Sequence, residues 1–159
     1  MTLLRVYLET TLFNFYVDKG RGFASESTLA FFREIAAGKY KAYTSSYVLD
    51  ELEKASAGKR DQMLRLMPKY DISVLTHSSE AEVLADIYTA KGAIPQKYRS
   101  DGLHIAVATV NGLDMIVSMN FQHIVKRRTK LVTGEINRLN GYKIIEILSP
   151  MEVVGNEND

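Results

Sequence analysis

Residues 103–110, LHIAVATV, restrict the fold more than any other stretch of this 159-residue chain. Set on a helix they leave it apolar almost all round, and such a helix has to be buried. Asp101 opens this helix, Asn111-Gly112 stops it, and Met115 to Val117 follows as a short buried strand. Asn120 begins the loop beyond. A fully apolar helix feeding a fully apolar strand needs further layers to cover both.

The rest of the chain supplies those layers. Leu3 to Leu8 reads as a first buried strand, followed at once by Glu9-Thr10-Thr11, which suits a strand end facing a site. Phe13 to Val17 is a short aromatic run, and DKGRG then reads as a loop without the lysine frame of a phosphate loop. Ser25 to Ala37 has helical spacing, with Ser25 or Ser27 as cap and Leu29, Phe32, Ile35 and Ala36 as the buried stripe. A second strand spans Lys41 to Thr44. Ser45 or Ser46 then caps a helix bearing Val48, Leu49, Leu52 and Ala55, stopped by Gly58. Lys59 to Met67 makes another helix, ended by Pro68. A third strand covers Ile72 to Leu75, and a helix from Glu80 to Ala90 follows the Ser78/Ser79 cap. Glu135 to Leu139 is a short helix, and Ile144 to Leu148 a last strand stopped by Pro150. Strands alternating with helices predict a mainly parallel sheet covered on both faces, a three-layer α/β/α domain. One domain is expected over 1–154, with 155–159 as a frayed acidic tail.

Composition narrows the chemistry. There is no cysteine, which excludes disulfides, thiolate zinc sites and cysteine nucleophiles and fits a reducing cytoplasm. Three histidines make a His-rich metal site a poor reading. A net charge of +1 gives no global pull on nucleic acid, so any basic surface must be local. No apolar run approaches the ~20 residues of a membrane span, and the N-terminus has no signal-peptide pattern.

Four polar residues take related places: Glu9 after strand one, Glu51 in the helix after strand two, Asp101 at a helix start and Asn120 after strand four. In a parallel sheet these places share one edge. Poorly solvated carboxylates gathered there repel each other by several kcal/mol unless cations or protons neutralise them. Oxygen ligands without Cys or His select hard cations, so Mg²⁺ or Mn²⁺ is expected. Such a cation acidifies a bound water and steadies a phosphate under attack, which is phosphodiester hydrolysis. Thr10, Thr11 and Ser118 read either as hydrogen-bonding these ligands or as merely satisfying strand-end backbone groups. Lys126, Arg127, Arg128 and Lys130 form a basic run just after Asn120, read either as RNA phosphate contacts or as a solvated loop. His104 and His123 read as structural rather than as general acids.

The segments VYLETTLFNFY, SSYVLDELEKA and above all SDGLHIAVATVNGLDMIVSMNFQHI resemble the PIN domain, in particular its VapC-like toxin ribonucleases. The resemblance covers most of the chain and is weakest over residues 17–40. It implies a parallel five-stranded sheet and acidic residues that bind Mg²⁺ or Mn²⁺ to cut RNA. Carried over by position, Glu9, Glu51 and Asp101 are its acids and Asn120 stands at its fourth position. It also implies a homodimer and an antitoxin protein as partners. Two positions depart from the pattern. Glu9 stands where the family most often has Asp, and its extra methylene extends its reach by about 1.5 Å, one bond length. Asn120 removes one negative charge. Two rivals to the ribonuclease reading therefore stand: a PIN-fold module that binds RNA or protein without cutting, and another metal-dependent phosphoryl-transfer enzyme.

Overall fold

The computed structural model describes residues 3–154, so the acidic tail at 155–159 lies outside the described residues. Among the described residues the chain runs β1 (Leu4–Leu8), α1 (Thr10–Val17), α2 (Phe23–Ala36), β2 (Tyr40–Ser45), α3 (Ser46–Leu52), α4 (Ala57–Leu64), α5 (Leu66–Lys69), β3 (Ser73–Leu75), α6 (Ser79–Ala90), a 3-10 turn (Gln96–Tyr98), α7 (Arg99–Val110), β4 (Met115–Val117), α8 (Arg127–Leu139), β5 (Glu146–Leu148) and α9 (Pro150–Val153). The five strands form one sheet in the order β3-β2-β1-β4-β5, and every pairing is parallel. The expected α/β architecture is therefore present.

Strand order explains where a site belongs. From β1 the chain steps outward to β2 and β3, then returns past β1 to β4 and β5. Right-handed crossovers put α1 to α5 on one face and α6 to α8 on the other. The direction of travel reverses between β1 and β4, and in open parallel sheets the crevice outside the carboxyl ends at such a reversal is where ligands bind. β1 ends at Leu8, directly before Glu9, and β4 ends at Val117, directly before Ser118.

The helix that dominated the sequence behaves as its composition requires. Gly102 through Thr109 of α7 are all buried. Gly102 lets the segment after α6 lie close, because a methyl group there would meet Ile94 Cδ1 at 3.3 Å, with Tyr88 of α6 in ordinary contact at 3.6 Å. The core runs through Val6 and Leu8 of β1, Ile105 to Ala108 of α7, and Ile116 and Val117 of β4, each essentially without solvent contact.

Several local readings are corrected. Phe13 to Val17 belongs to a full helix, α1, capped by the side chain of Glu9, which accepts from Thr11 N. Ser25 and Ser27 do not cap α2. They lie buried inside it, and the helix starts at Phe23 behind Gly22, whose φ of 67° few other residues accept. Its buried side is Thr28, Phe31, Phe32 and Ile35, while Ala36 is exposed. Gly58 lies within α4 rather than stopping α3, and Pro68 lies within the single turn α5. Proline is tolerated there because first-turn N–H groups have no helical acceptor to lose. Pro150 opens α9 behind a Ser149/Glu152 capping box instead of merely ending β5. Ser45 and Ser78 cap α3 and α6 as expected, accepting from Val48 N and Ala81 N.

Candidate functional site

Glu9 sits between β1 and α1 and is 2% exposed. Its Oε1 accepts three hydrogen bonds: from Ser118 Oγ at 2.6 Å, Thr11 Oγ1 at 2.5 Å and Thr11 N at 3.1 Å. Thr11 Oγ1 in turn accepts from Met119 N at 2.8 Å, so one carboxylate stitches the ends of β1 and β4 together. Oε2 has no hydrogen-bond partner among the described residues. Burial pushes the Glu9 carboxyl above its ordinary value, although the nearby His104 charge and the Ser118 and Thr11 bonds oppose the shift.

Glu51 occupies the last turn of α3 and is half-buried. Its Oε1 accepts from Thr10 Oγ1 at 3.2 Å and is hydrogen-bonded to His104 Nε2. Burial would raise its carboxyl, but the His104 hydrogen bond and charge, together with Thr10, win and hold it below the ordinary range. His104 is 1% exposed and answers in kind. Burial opposes a charged ring, yet the Glu51 bond, with the charges of Glu9 and Asp101 behind it, raises its value above the usual imidazole. The other ring nitrogen, Nδ1, lies 2.7 Å from Tyr7 Oη, which lies 2.7 Å from Ser45 Oγ.

Asp101 lies in the first turn of α7 rather than at its cap, which is Tyr98. Burial raises its carboxyl. The Asn120 side chain and the neighbouring His104 and His123 oppose that rise, while the Glu51 charge reinforces it. Asn120 is fixed by its own loop: its Oδ1 accepts from His123 N at 3.0 Å, and its backbone N–H donates to Ser118 Oγ at 2.9 Å.

The structure thus gathers Glu9, Glu51, Asp101, Asn120, Thr10, Thr11 and Ser118 at the reversal between β1 and β4. It does not close them into a cage. Among the described residues no three His, Asp or Glu side chains converge tightly enough to surround an ion. Mg²⁺ does not require such a cage, since it keeps several waters and is typically held by one or two carboxylates plus substrate phosphate oxygens. The donor chemistry fits that mode best at Glu51 and Asp101, which offer oxygens only and of which Asp101 feels the Glu51 charge.

The basic run is helical, which corrects the loop reading. Lys126 is the N-cap of α8, and Arg127, Arg128 and Lys130 follow within its first turns. Lys126 and Arg127 have no acidic partner among the described residues. Arg128 Nε donates to Gly92 O at 3.1 Å, and Lys130 Nζ lies 3.8 Å from Glu152 Oε2. Beside them a cavity of about 310 Å³ is lined by Gly92, Ile94, His123, Lys126, Arg128 and Thr129 among others. His123 stacks on Tyr98 with centroids 3.9 Å apart, and both its ring nitrogens are buried without partners among the described residues.

Sequence reasoning missed Tyr7, saw Ser45 only as a helix cap, and took His104 for a structural residue without its link to Glu51. The available signal was weak: a histidine three residues beyond Asp101 on a helix otherwise apolar, and a tyrosine between Val6 and Leu8 in a buried strand.

No family model matches the chain, and comparison with curated proteins returns no match. Among solved structures, the chain is similar to one described as VapBC2 from Rickettsia felis bound to a DNA fragment from their promoter. The two align with a TM-score of 0.56 at 15% identity, over 92% of this chain and 98% of that one. The likeness is one of fold.

Proposed function

We propose that this protein is a PIN-type endoribonuclease that hydrolyses RNA phosphodiester bonds with Mg²⁺ or Mn²⁺. The observation that carries the reading is the meeting of Glu51, Asp101, Asn120 and Glu9 at the one reversal of the sheet, with oxygen donors only and a basic helix start beyond Asn120. Glu51 and Asp101 would hold the cation, with Glu9 and Asn120 as the further oxygen-bearing side chains of the site. What Mg²⁺ or Mn²⁺ supplies when bound is charge neutralisation at the phosphate and a more acidic water. Asn120 orients Asp101, and Ser118 and Thr11 fix Glu9. Thr10 steadies Glu51. Lys126 and Arg127 take RNA phosphates, with Arg128 braced against Gly92 beside them. We read 1–154 as one domain acting in the cytoplasm. The partners carried over from the family resemblance are a second copy of the chain and an antitoxin, in the toxin role of a toxin–antitoxin pair.

A second reading is a PIN-fold module that binds RNA or protein without cutting. Two observations favour it: the acids do not close into a cage, and Asn120 contributes no charge. Cleavage of labelled RNA separates the two. The nuclease reading predicts cutting with Mg²⁺ or Mn²⁺ that stops in EDTA and in Asp101→Asn. RNA binding without cleavage under all these conditions supports the binding module, and cleavage unchanged in Asp101→Asn removes the assigned site.

A further inference from the structure

Glu51 stands at the end of a seven-residue helix with about a third of its side chain exposed. A free glutamate there samples many rotamers, and fixing one costs conformational entropy. Something has to hold it if it is to present one oxygen reproducibly. The holding group comes from the opposite side of the sheet. His104 on α7 reaches Glu51 Oε1 through Nε2, and its Nδ1 is fixed by Tyr7 on β1. Tyr7 is fixed by Ser45, and Ser45 Oγ accepts from Val48 N at 3.4 Å, capping the helix that carries Glu51. The chain of contacts is closed: it leaves α3 at its N-cap and returns to it at its last turn.

All three supporting side chains are buried, Ser45 and Tyr7 completely and His104 at 1% exposure. Their neighbours in the same elements are Val6, Leu8, Ile105 and Val107. Apolar side chains of similar volume in place of a buried polar set are often no less stable. A fully connected polar network, by contrast, gives one defined orientation to the group at its end. Here that group is Glu51.

We propose that His104, oriented by Tyr7 and Ser45, is a positioning residue that locks Glu51 by Oε1 and so reserves Oε2 for the divalent cation shared with Asp101. This rests on the metal-dependent reading above. His104 cannot touch substrate from its buried place, and its effect passes entirely through Glu51. Hydrogen-bonding partners of metal-ligating side chains typically matter 10–100-fold in metal affinity.

The test is Mn²⁺ binding to the full chain without RNA, followed by electron paramagnetic resonance, with thermal unfolding of every variant alongside. His104→Leu is expected to weaken Mn²⁺ binding about 10–100-fold. His104→Gln, which keeps an N–H near the position of Nε2, recovers part of that loss. Tyr7→Phe keeps the packing, removes only the hydroxyl, and gives a smaller weakening. In the Glu51→Gln background His104→Leu adds nothing, a result that a merely structural role would not produce. Wild-type affinity in a folded His104→Leu overturns the proposal while leaving the metal reading intact, provided Asp101→Asn and Glu51→Gln bind poorly. Should His104→Leu not fold, unchanged affinity in Tyr7→Phe overturns it equally. Mn²⁺ binding that survives in both Asp101→Asn and Glu51→Gln contradicts the metal reading itself and the proposal with it.

Discussion

Glu9 and Glu51 are both held by a single oxygen, yet their surroundings drive them in opposite directions. Glu9 is enclosed and receives only neutral donors, the hydroxyls of Ser118 and Thr11 and one backbone N–H. Burial dominates, and the carboxyl is harder to ionise than usual. Glu51 is half-buried and faces an imidazole, and its carboxyl ionises more readily than usual. Neutral donors fix a carboxylate in place without compensating its charge, whereas an ionisable donor does both. Glu9 is thus suited to tying β1 to β4, and Glu51 to presenting a standing negative charge to a cation.

The sharpest way to break this contrast is to remove one partner of the buried pair. Glu51→Leu leaves His104 buried without an acceptor and is expected to cost about 3 kcal/mol in urea unfolding, whereas the double change with His104→Leu recovers most of it. Loss of equal size in the double variant would show that the pair is not the source. Glu9→Leu orphans the Ser118 and Thr11 donors and is expected to cost about 2 kcal/mol, while Glu9→Gln, which keeps an acceptor oxygen, costs about 1 kcal/mol or less. Equal losses would mean that the packing of Glu9, not its oxygen, holds the strand ends.

Charge outside the pair is read by salt. Neutralising Lys126 and Arg127 together is expected to weaken single-stranded RNA binding. It should also flatten the slope of log affinity against log salt by about 0.7 for each phosphate that is no longer neutralised. An unchanged slope would place the RNA elsewhere.

Stability against pH distinguishes the two glutamates by sign. Glu51 has a lowered value in the fold, so its contribution is present above its ordinary 4.5 and is lost as pH falls through the lowered value. Glu9 has a raised value, so its contribution is present below 4.5 and is lost as pH rises through the raised one. His104 is raised as well, and its contribution is complete below 6.5 and lost as pH climbs through its folded value. In thermal unfolding, Glu9→Gln should therefore lose less stability than the wild type as pH rises from 4.5, and His104→Gln less as pH rises above 6.5. Parallel curves for wild type and variant would contradict the assignment. The smallest effect is expected at Arg138, whose pair with Glu135 is fully exposed: Arg138→Ala should leave unfolding unchanged.

The elements that were legible in the sequence are those whose own composition decides them. Residues 103–110 of α7 are apolar almost all round, β4 is three buried residues after an Asn-Gly stop, and the caps of α3 and α6 are serines at the right offset. Glu9 was legible for the same reason, because a carboxylate directly after a buried strand is poor core material, whereas Glu51 and Asp101 lie within helices and were picked out by their placement relative to the sheet. The start of α8 was not: Lys126 offers no side-chain cap, and a Lys/Arg turn looks like solvated loop until packing through Thr129 and Thr133 reveals its buried side. Nor was the support of Glu51. Tyr7 and His104 lie 97 residues apart, and each looks locally like core. Their link exists only once β1 and α7 are brought together, and no local pattern encodes that meeting.

The most direct test of the account is to grow crystals with Mn²⁺ and locate it by its anomalous scattering. The account predicts an ion bounded by Glu51 and Asp101 at the reversal between β1 and β4, absent from Asp101→Asn crystals grown the same way. An ion bound elsewhere, or none at that edge with millimolar Mn²⁺ present, would contradict it.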